Sequence, residues 1–100
     1  MTLDGRQRRY LRSLGHHLDP VVQLGKQGLT DAVRAAVDAA LEQHELVKIR
    51  LGTECPEPVA RVADGLAPPL GAEVAQTLGR TLLLYRRRKK EPKIVLPRSA

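Results

Sequence analysis

Ten residues, Val21-Val22-Gln23-Leu24-Gly25-Lys26-Gln27-Gly28-Leu29-Thr30, constrain the fold more tightly than any other part of the chain. Val21, Val22 and Leu24 make a β-branched apolar run that follows Pro20 and predicts a short buried strand. Thr30 is a good N-cap for the periodic segment behind it, and Asp31 suits the positive end of that helix's dipole. Between strand and helix, Gly25 and Gly28 permit positive φ and leave no Cβ to obstruct a ligand. Strand, glycine loop and helix follow one another within a few residues.

Two readings of Gly25-Lys26-Gln27-Gly28 are open at this point. Amides left unpaired at the helix start, with Lys26 at the loop's tip, would receive a phosphate. The G-x-x-G clamp of KH-type RNA modules grips the backbone in that way. A plain strand-to-helix connection with a glycine at each bend accounts for the same two residues. The lysine, the strand-loop-helix context and the overall charge favour phosphate.

That charge is +6, with a pI near 10.1, and it is unevenly distributed. Arg6, Arg8, Arg9 and Arg12 stand near one end without an acid between them. Arg86, Arg87, Arg88, Lys89, Lys90 and Lys93 stand near the other, against Glu91. Residues 13–85 carry six basic and nine acidic side chains, so they net −3. A surface that merely keeps a protein soluble intersperses both signs. Segregation predicts a polyanion partner, of which nucleic acid is the commonest.

One hundred residues with 42% apolar content predict one globular domain. No apolar run reaches membrane-spanning length and no signal-peptide core is evident, so no membrane association and a cytoplasmic location are expected. Cys55 is the single cysteine, excludes an internal disulfide, and reads as an inert thiol. His16 and His17 have no third ligand at a recognisable spacing, so no metal is expected.

Residues 4–16 read as a helix capped by Asp4 and stopped at Gly15, with Gln7, Tyr10, Leu11 and Leu14 on one face and the arginines outside. Thr30 to about Glu45 is the strongest helix: Val33, Ala36, Val37, Ala40 and Leu41 form its apolar stripe. His44 falls near that stripe, while Glu42 and Glu45 fall on the solvent side. Leu46–Leu51 alternates, with Val47, Ile49 and Leu51 on one face and Leu46, Lys48 and Arg50 on a partly basic, open one. Val59, Val62, Ala63 and Leu66 predict a third helix of about ten residues, closed by Pro68-Pro69. Residues 73–78 and 81–86 flank Gly79-Arg80 and predict a hairpin with type II′ tendency. The basic run beyond it would be solvated without a partner, but Ile94, Val95 and Leu96 predict that residues 87–100 dock in part on the domain.

In this order of elements, three blocks resemble the CRM domain in its stand-alone bacterial YhbY form. They are Asp19-Pro20 through Thr30, His44-Glu45-Leu46-Val47-Lys48-Ile49, and Gly79-Arg80-Thr81-Leu82-Leu83-Leu84-Tyr85-Arg86, with Leu96-Pro97-Arg98 beyond them. The resemblance implies a two-layer α/β fold, α-β-α-β-α-β-β with a four-stranded mixed sheet, similar to the C-terminal domain of bacterial translation initiation factor 3. It also implies RNA binding and association with precursors of the large ribosomal subunit. Two departures stand out: Asp19 where a basic residue is common, and the abrupt Pro68-Pro69 ending.

The expected function is therefore non-enzymatic RNA binding in ribosome assembly, by a monomer without a cofactor. Gly25, Lys26, Gln27 and Gly28 would grip phosphates. Arg6, Arg8, Arg9, Arg12, Lys48, Arg50, Arg86, Arg87, Arg88, Lys89 and Lys90 would extend the contact. With no Trp, no Phe and two Tyr, the chain lacks stacking platforms for single-strand readout. The same charge would also serve a DNA-binding protein or an adaptor for acidic proteins. No catalytic triad, metal cluster or motif-placed carboxylate pair points to an enzyme.

Overall fold

A computed structural model describes residues 3–98. The elements are α1 (Gly5–Gly15), β1 (Val22–Leu24), α2 (Asp31–His44), β2 (Leu46–Leu51), α3 (Val59–Leu70), β3 (Glu73–Leu78) and β4 (Thr81–Tyr85). The strands form one sheet in the order β1-β2-β4-β3, with β1 parallel to β2 and the other pairs antiparallel. The mixed α/β fold expected from the residue pattern is the one observed.

Sequence punctuation sets most boundaries. The Asp4 carboxylate accepts from the Gln7 amide at 2.8 Å, and the Gln7 side chain accepts from the Asp4 amide at 3.2 Å, a reciprocal capping box. Thr30 Oγ1 accepts from the Val33 amide and caps α2. In the hairpin, Gly79 takes φ +57° and Arg80 stays at negative φ, as a type II′ turn requires.

One expected boundary is displaced. Pro68 and Pro69 do not close α3; they form its last turn, which runs on to Leu70. The N–H groups they lack would have bonded one turn back, so each costs a hydrogen bond there without obliging the backbone to leave the helix. Termination comes at Gly71, at φ +64°. Its N–H and that of Ala72 return to the carbonyls of Pro68 and Ala67, which is a Schellman closure.

The sheet is apolar on both faces at its centre. Val47, Ile49, Leu51, Leu82 and Leu84 point into a core completed by Val37 and Leu41 of α2 and by Val62, Ala63, Leu66 and Ala67 of α3. The opposite face was expected to be open. Instead, Leu46, Leu83 and Tyr85 pack with Leu3, Leu11 and Ala75, and Ile94 and Leu96 lie against them. Thus α1 and the C-terminal segment cover the middle of this second face, supplementing the α2–α3 layer. In β3 an extra residue, Ala75, stands between Val74 and Gln76, which pair with the consecutive residues Leu84 and Leu83.

Other positions also differ from the periodicity. On α1 the covered face is Gln7, Leu11 and Gly15, while Tyr10 and Leu14 are exposed. On α2, Ala36 and His44 are exposed, and Glu45, just past the helix, is buried. A helix that touches the sheet along a narrow line buries one residue per turn, leaving the margins of a broad apolar stripe in water.

Gly15 marks where α1 approaches most closely: a Cβ there would lie 2.6 Å from a methyl of Leu83. Gly5 on the same helix has open space around it. Gly15→Ala is expected to destabilise the fold by about 1–2 kcal/mol through overpacking. Gly5→Ala is expected to be neutral or to gain up to about 1 kcal/mol of helix propensity. Chemical denaturation of the two variants checks the contrast.

Candidate nucleic-acid interface

The glycine loop lies at the end of the sheet reached by the C-termini of β1 and β2. The Gly28 N–H bonds to the Gly25 carbonyl at 3.0 Å, closing a turn whose first three residues are exposed. Gly28, at φ +67°, is buried over the Glu57 side chain. The Leu29 amide donates to Glu57 Oε1 at 2.7 Å. The expected set of bare amides is therefore closed off in part. The amides of Gly28, Leu29 and Val33 are engaged inside the protein, and a carboxylate occupies the inner side of the second glycine. What the loop offers outward is the Gly25-Lys26-Gln27 segment, where Gly25 has nothing within 4 Å of a Cβ position.

Arg6, Arg8, Arg9 and Arg12 are exposed on α1. Arg12 meets Lys48 of β2 across a groove of about 430 Å³, which Ser13, His16, Gln76 and Thr81 also line. Lys48 and Arg50 alternate with Val47, Ile49 and Leu51, so they sit on the α1 side of the sheet. Arg50 is exposed and pairs in register with Gln23, two residues before the loop's first glycine. Helix α1 packs on β2, β3 and β4, leaving the α1-side strip around Gln23 and Arg50 uncovered. From the Arg12–Lys48 groove, exposed polar and basic groups continue through Arg50 toward Lys26.

Arg80 joins this end of the sheet and was not among the expected residues. Its guanidinium donates to the carbonyls of Leu51, at 3.2 Å, and Gly52 while remaining exposed. The hairpin turn signalled the position of Arg80 in its own strand pair. Its proximity to β2 depends on the sheet order, which local pattern does not contain.

Residues of the C-terminal run occupy the opposite end. Arg86 follows β4, whose last residue pairs with Leu46 at the start of β2. Leu46 and Leu51 differ by five residues, so the two ends are separated by roughly 17 Å along the strand. Arg86 itself is committed internally. It forms ion pairs with Asp38 at 2.6 Å and Glu42 at 3.3 Å, and it donates to the Leu70 and Asp38 carbonyls. Arg87, Lys89 and Lys90 are exposed. The surface expected to join loop and both basic termini is thus two surfaces: α1, β2 and the loop on one side, residues 87–90 at the far end.

Glu45 organises that far end. It takes φ +64° between α2 and β2, and its carbonyl accepts from the Arg86 amide at 2.9 Å. Its carboxylate, 1% exposed as a residue, accepts from the amides of Arg88 at 3.1 Å, Lys93 at 2.6 Å and Ile94 at 3.0 Å. Burial pushes its pKa up, but these three amides and the Arg88 charge outweigh burial and hold it below the ordinary glutamate value of 4.5. Tyr85 beside it is pushed up by burial and by the Glu45 charge.

Among the described residues no three His, Cys, Asp or Glu side chains group to hold a metal, and no helix is long and apolar enough to cross a membrane. The rings of His16 and His17 meet edge to face at 5.3 Å. Cys55 is buried.

The mixed α/β sheet thus carries a glycine turn at one strand end and cations along the adjoining face. The CRS1 / YhbY (CRM) domain model matches residues 3–86, and the chain belongs to that family. It is 39% identical over 95 residues to "Probable RNA-binding protein YqeI" of Bacillus subtilis, covering 95% of this chain and 99% of the relative. An "RNA-binding protein" of Haemophilus influenzae is 40% identical over 97 residues, 97% of each chain. The solution structure of a hypothetical protein from Staphylococcus aureus superposes with a TM-score of 0.81 at 34% identity, covering 96% of this chain and all of that one.

The depressed pKa of Glu45 predicts a pH dependence of stability. The unfolded chain takes up this proton at higher pH than the folded one, so the stabilisation is complete above the unfolded value of 4.5 and is lost as pH falls through the folded one. Glu45→Gln is expected to lower stability at pH 7 by about 1–3 kcal/mol. It should also flatten the decline below pH 4.5. Denaturant titrations of both proteins from pH 7 to pH 3 check the sign.

Proposed function

We propose that this chain binds structured RNA through phosphate contacts, and that its RNA is the large-subunit ribosomal RNA or its precursor, held during ribosome assembly. The observation that carries the reading is the placement of Arg12, Lys48 and Arg50 on the α1 side of the sheet, with Arg80 held at the end of β2 next to the strand that leads into the Gly25-Lys26-Gln27 turn. The names of the family's relatives support RNA over DNA as the polyanion. Phosphate contacts set register and orientation and carry little sequence information directly. Of the two tyrosines, Tyr85 is buried and only Tyr10 reaches solvent, so base stacking has little to work with. The protein reads shape and charge, acts as a monomeric binding module without a cofactor, and performs no chemistry on its RNA.

The α1 arginines, Lys26, Lys48, Arg50 and Arg80 hold the main contact in this reading. Arg86 serves the fold instead, because its guanidinium is held by Asp38, Glu42 and two carbonyls.

With about six phosphates engaged, log K against log salt is expected to slope at roughly −4 to −5. A flat response, or equal affinity for duplex DNA and a ribosomal RNA fragment in competition, counts against the reading. Gly25→Asp places a carboxylate in open space on the loop, so it should weaken RNA binding at least tenfold while changing stability by less than about 0.5 kcal/mol. Gly28→Asp behaves differently, because its Cβ would meet the Glu57 carboxylate and its φ is positive. It is expected to cost about 1–3 kcal/mol of stability in addition to any effect on binding. Filter binding and thermal unfolding on each variant separate the two effects.

A further inference from the structure

We propose that Glu45 is the positioning residue of a second phosphate-contact surface, because its buried carboxylate gathers the amides of Arg88, Lys93 and Ile94 and so fixes residues 87–93 as a preformed basic loop. The proposal rests on the RNA-binding reading and adds to it a contact at the end of the sheet away from the glycine turn.

A basic run beyond the last strand is ordinarily a solvated tail. It binds polyanions weakly for its charge, since each side chain and peptide must be ordered at the moment of contact. Here the run is closed at both ends. On the upstream side the Arg86 amide bonds to the Glu45 carbonyl, and the Arg86 guanidinium is held by Asp38 and Glu42. Downstream, Ile94 and Leu96 pack on the α1-side cluster, and Gln7 Nε2 donates to the Pro97 carbonyl at 3.1 Å. Between these anchors the backbone folds back on one carboxylate, with Glu91 at φ +51° and Pro92 forming the bend.

The consequence is a division of labour by position. Arg88 is half-buried and lends its charge to Glu45, whereas Arg87, Lys89, Lys90 and Lys93 are exposed. The carboxylate lies against Arg88 on the inside of the loop, and the outside carries four cations against one acid, Glu91. Three charge-assisted bonds from the backbone hold this arrangement without using any of those four side chains. The partner that fits is a segment of RNA backbone that reaches past the Arg12–Lys48 groove to this end of the sheet.

A double-mutant cycle in the full chain tests the proposal. Affinity for a fluorescein-labelled ribosomal RNA hairpin is measured by anisotropy for the native protein, for Glu45→Gln, for the triple variant Arg87→Ala, Lys89→Ala, Lys90→Ala, and for the combination. Glu45→Gln is expected to weaken binding roughly three- to tenfold in the native background and to add much less once the three cations are gone and Lys93 alone remains. Amide hydrogen exchange at positions 88, 93 and 94 should be slow in the native protein and accelerate in Glu45→Gln. A second pair covers the case in which Glu45→Gln does not fold. Lys93→Pro deletes one of the donated amides, Lys93→Ala keeps it, and only the former should lose more than one charge's worth of affinity. If folded Glu45→Gln and Lys93→Pro bind as their controls do, or if the loss in Glu45→Gln is the same with and without the three cations, the positioning role is overturned and the RNA-binding reading stands. If the native protein shows no salt-dependent affinity for the hairpin, both fall.

Discussion

β4, inside the sheet, is apolar on both faces and β2 joins it on the second through Leu46, and the rest of the molecule is arranged to keep these side chains dry. Ile49 and Leu82 on one side and Leu46, Leu83 and Tyr85 on the other are each at most 5% exposed. Burying a side chain of that size contributes on the order of 1.5–3 kcal/mol, so neither face could be left to water cheaply. Helices α2 and α3 supply one cover. The other is assembled from unlike parts: a single helix at the start of the chain and an irregular segment at its end. That assembly leaves the edge around Gln23 and Arg50 uncovered, which is where polar and basic side chains remain accessible. The candidate interface is the part of the sheet that the second cover does not reach.

Glu45 sits where these demands meet. It is the single residue between a helix and a central strand, it turns the chain through positive φ, and its carbonyl continues the β2–β4 ladder by one bond. A buried carboxylate without partners would be costly, and a segment of irregular backbone laid on a core would leave its own amides unpaired. Each problem resolves the other. The acid needs donors, the segment needs an acceptor, and three amides converge on one side chain.

Much of the architecture was legible because the punctuation is local. Asp4 with Gln7, Thr30 with Val33, and the Gly79-Arg80 turn act within a few residues of themselves, so the order of elements followed from reading along the chain. The misplaced features all depend on residues far apart. Helical periodicity put Glu45 with Glu42 in solvent, since its partners lie more than forty positions away. The glycine turn suggested bare amides, since Glu57 arrives from another loop to claim one of them. Charge counting put Arg86 with its neighbours, although Asp38 and Glu42 draw it inward. Pro68-Pro69 marked the end of a helix correctly to within a turn, and Gly71 decided where it falls.

The extra residue in β3 has a bearing on how the molecule behaves in a crowded solution. β3 is an outer strand carrying Thr77 and the exposed Leu78, and a regular, flat strand of that kind would invite another chain to add to it. The bulge at Ala75 breaks the even spacing of outward amides and carbonyls and increases the local twist, so a straight incoming strand finds no continuous ladder. The same insertion turns the Ala75 side chain inward, onto the cluster beneath α1. One irregularity thus closes the smaller core and makes the sheet's margin a poor template for aggregation.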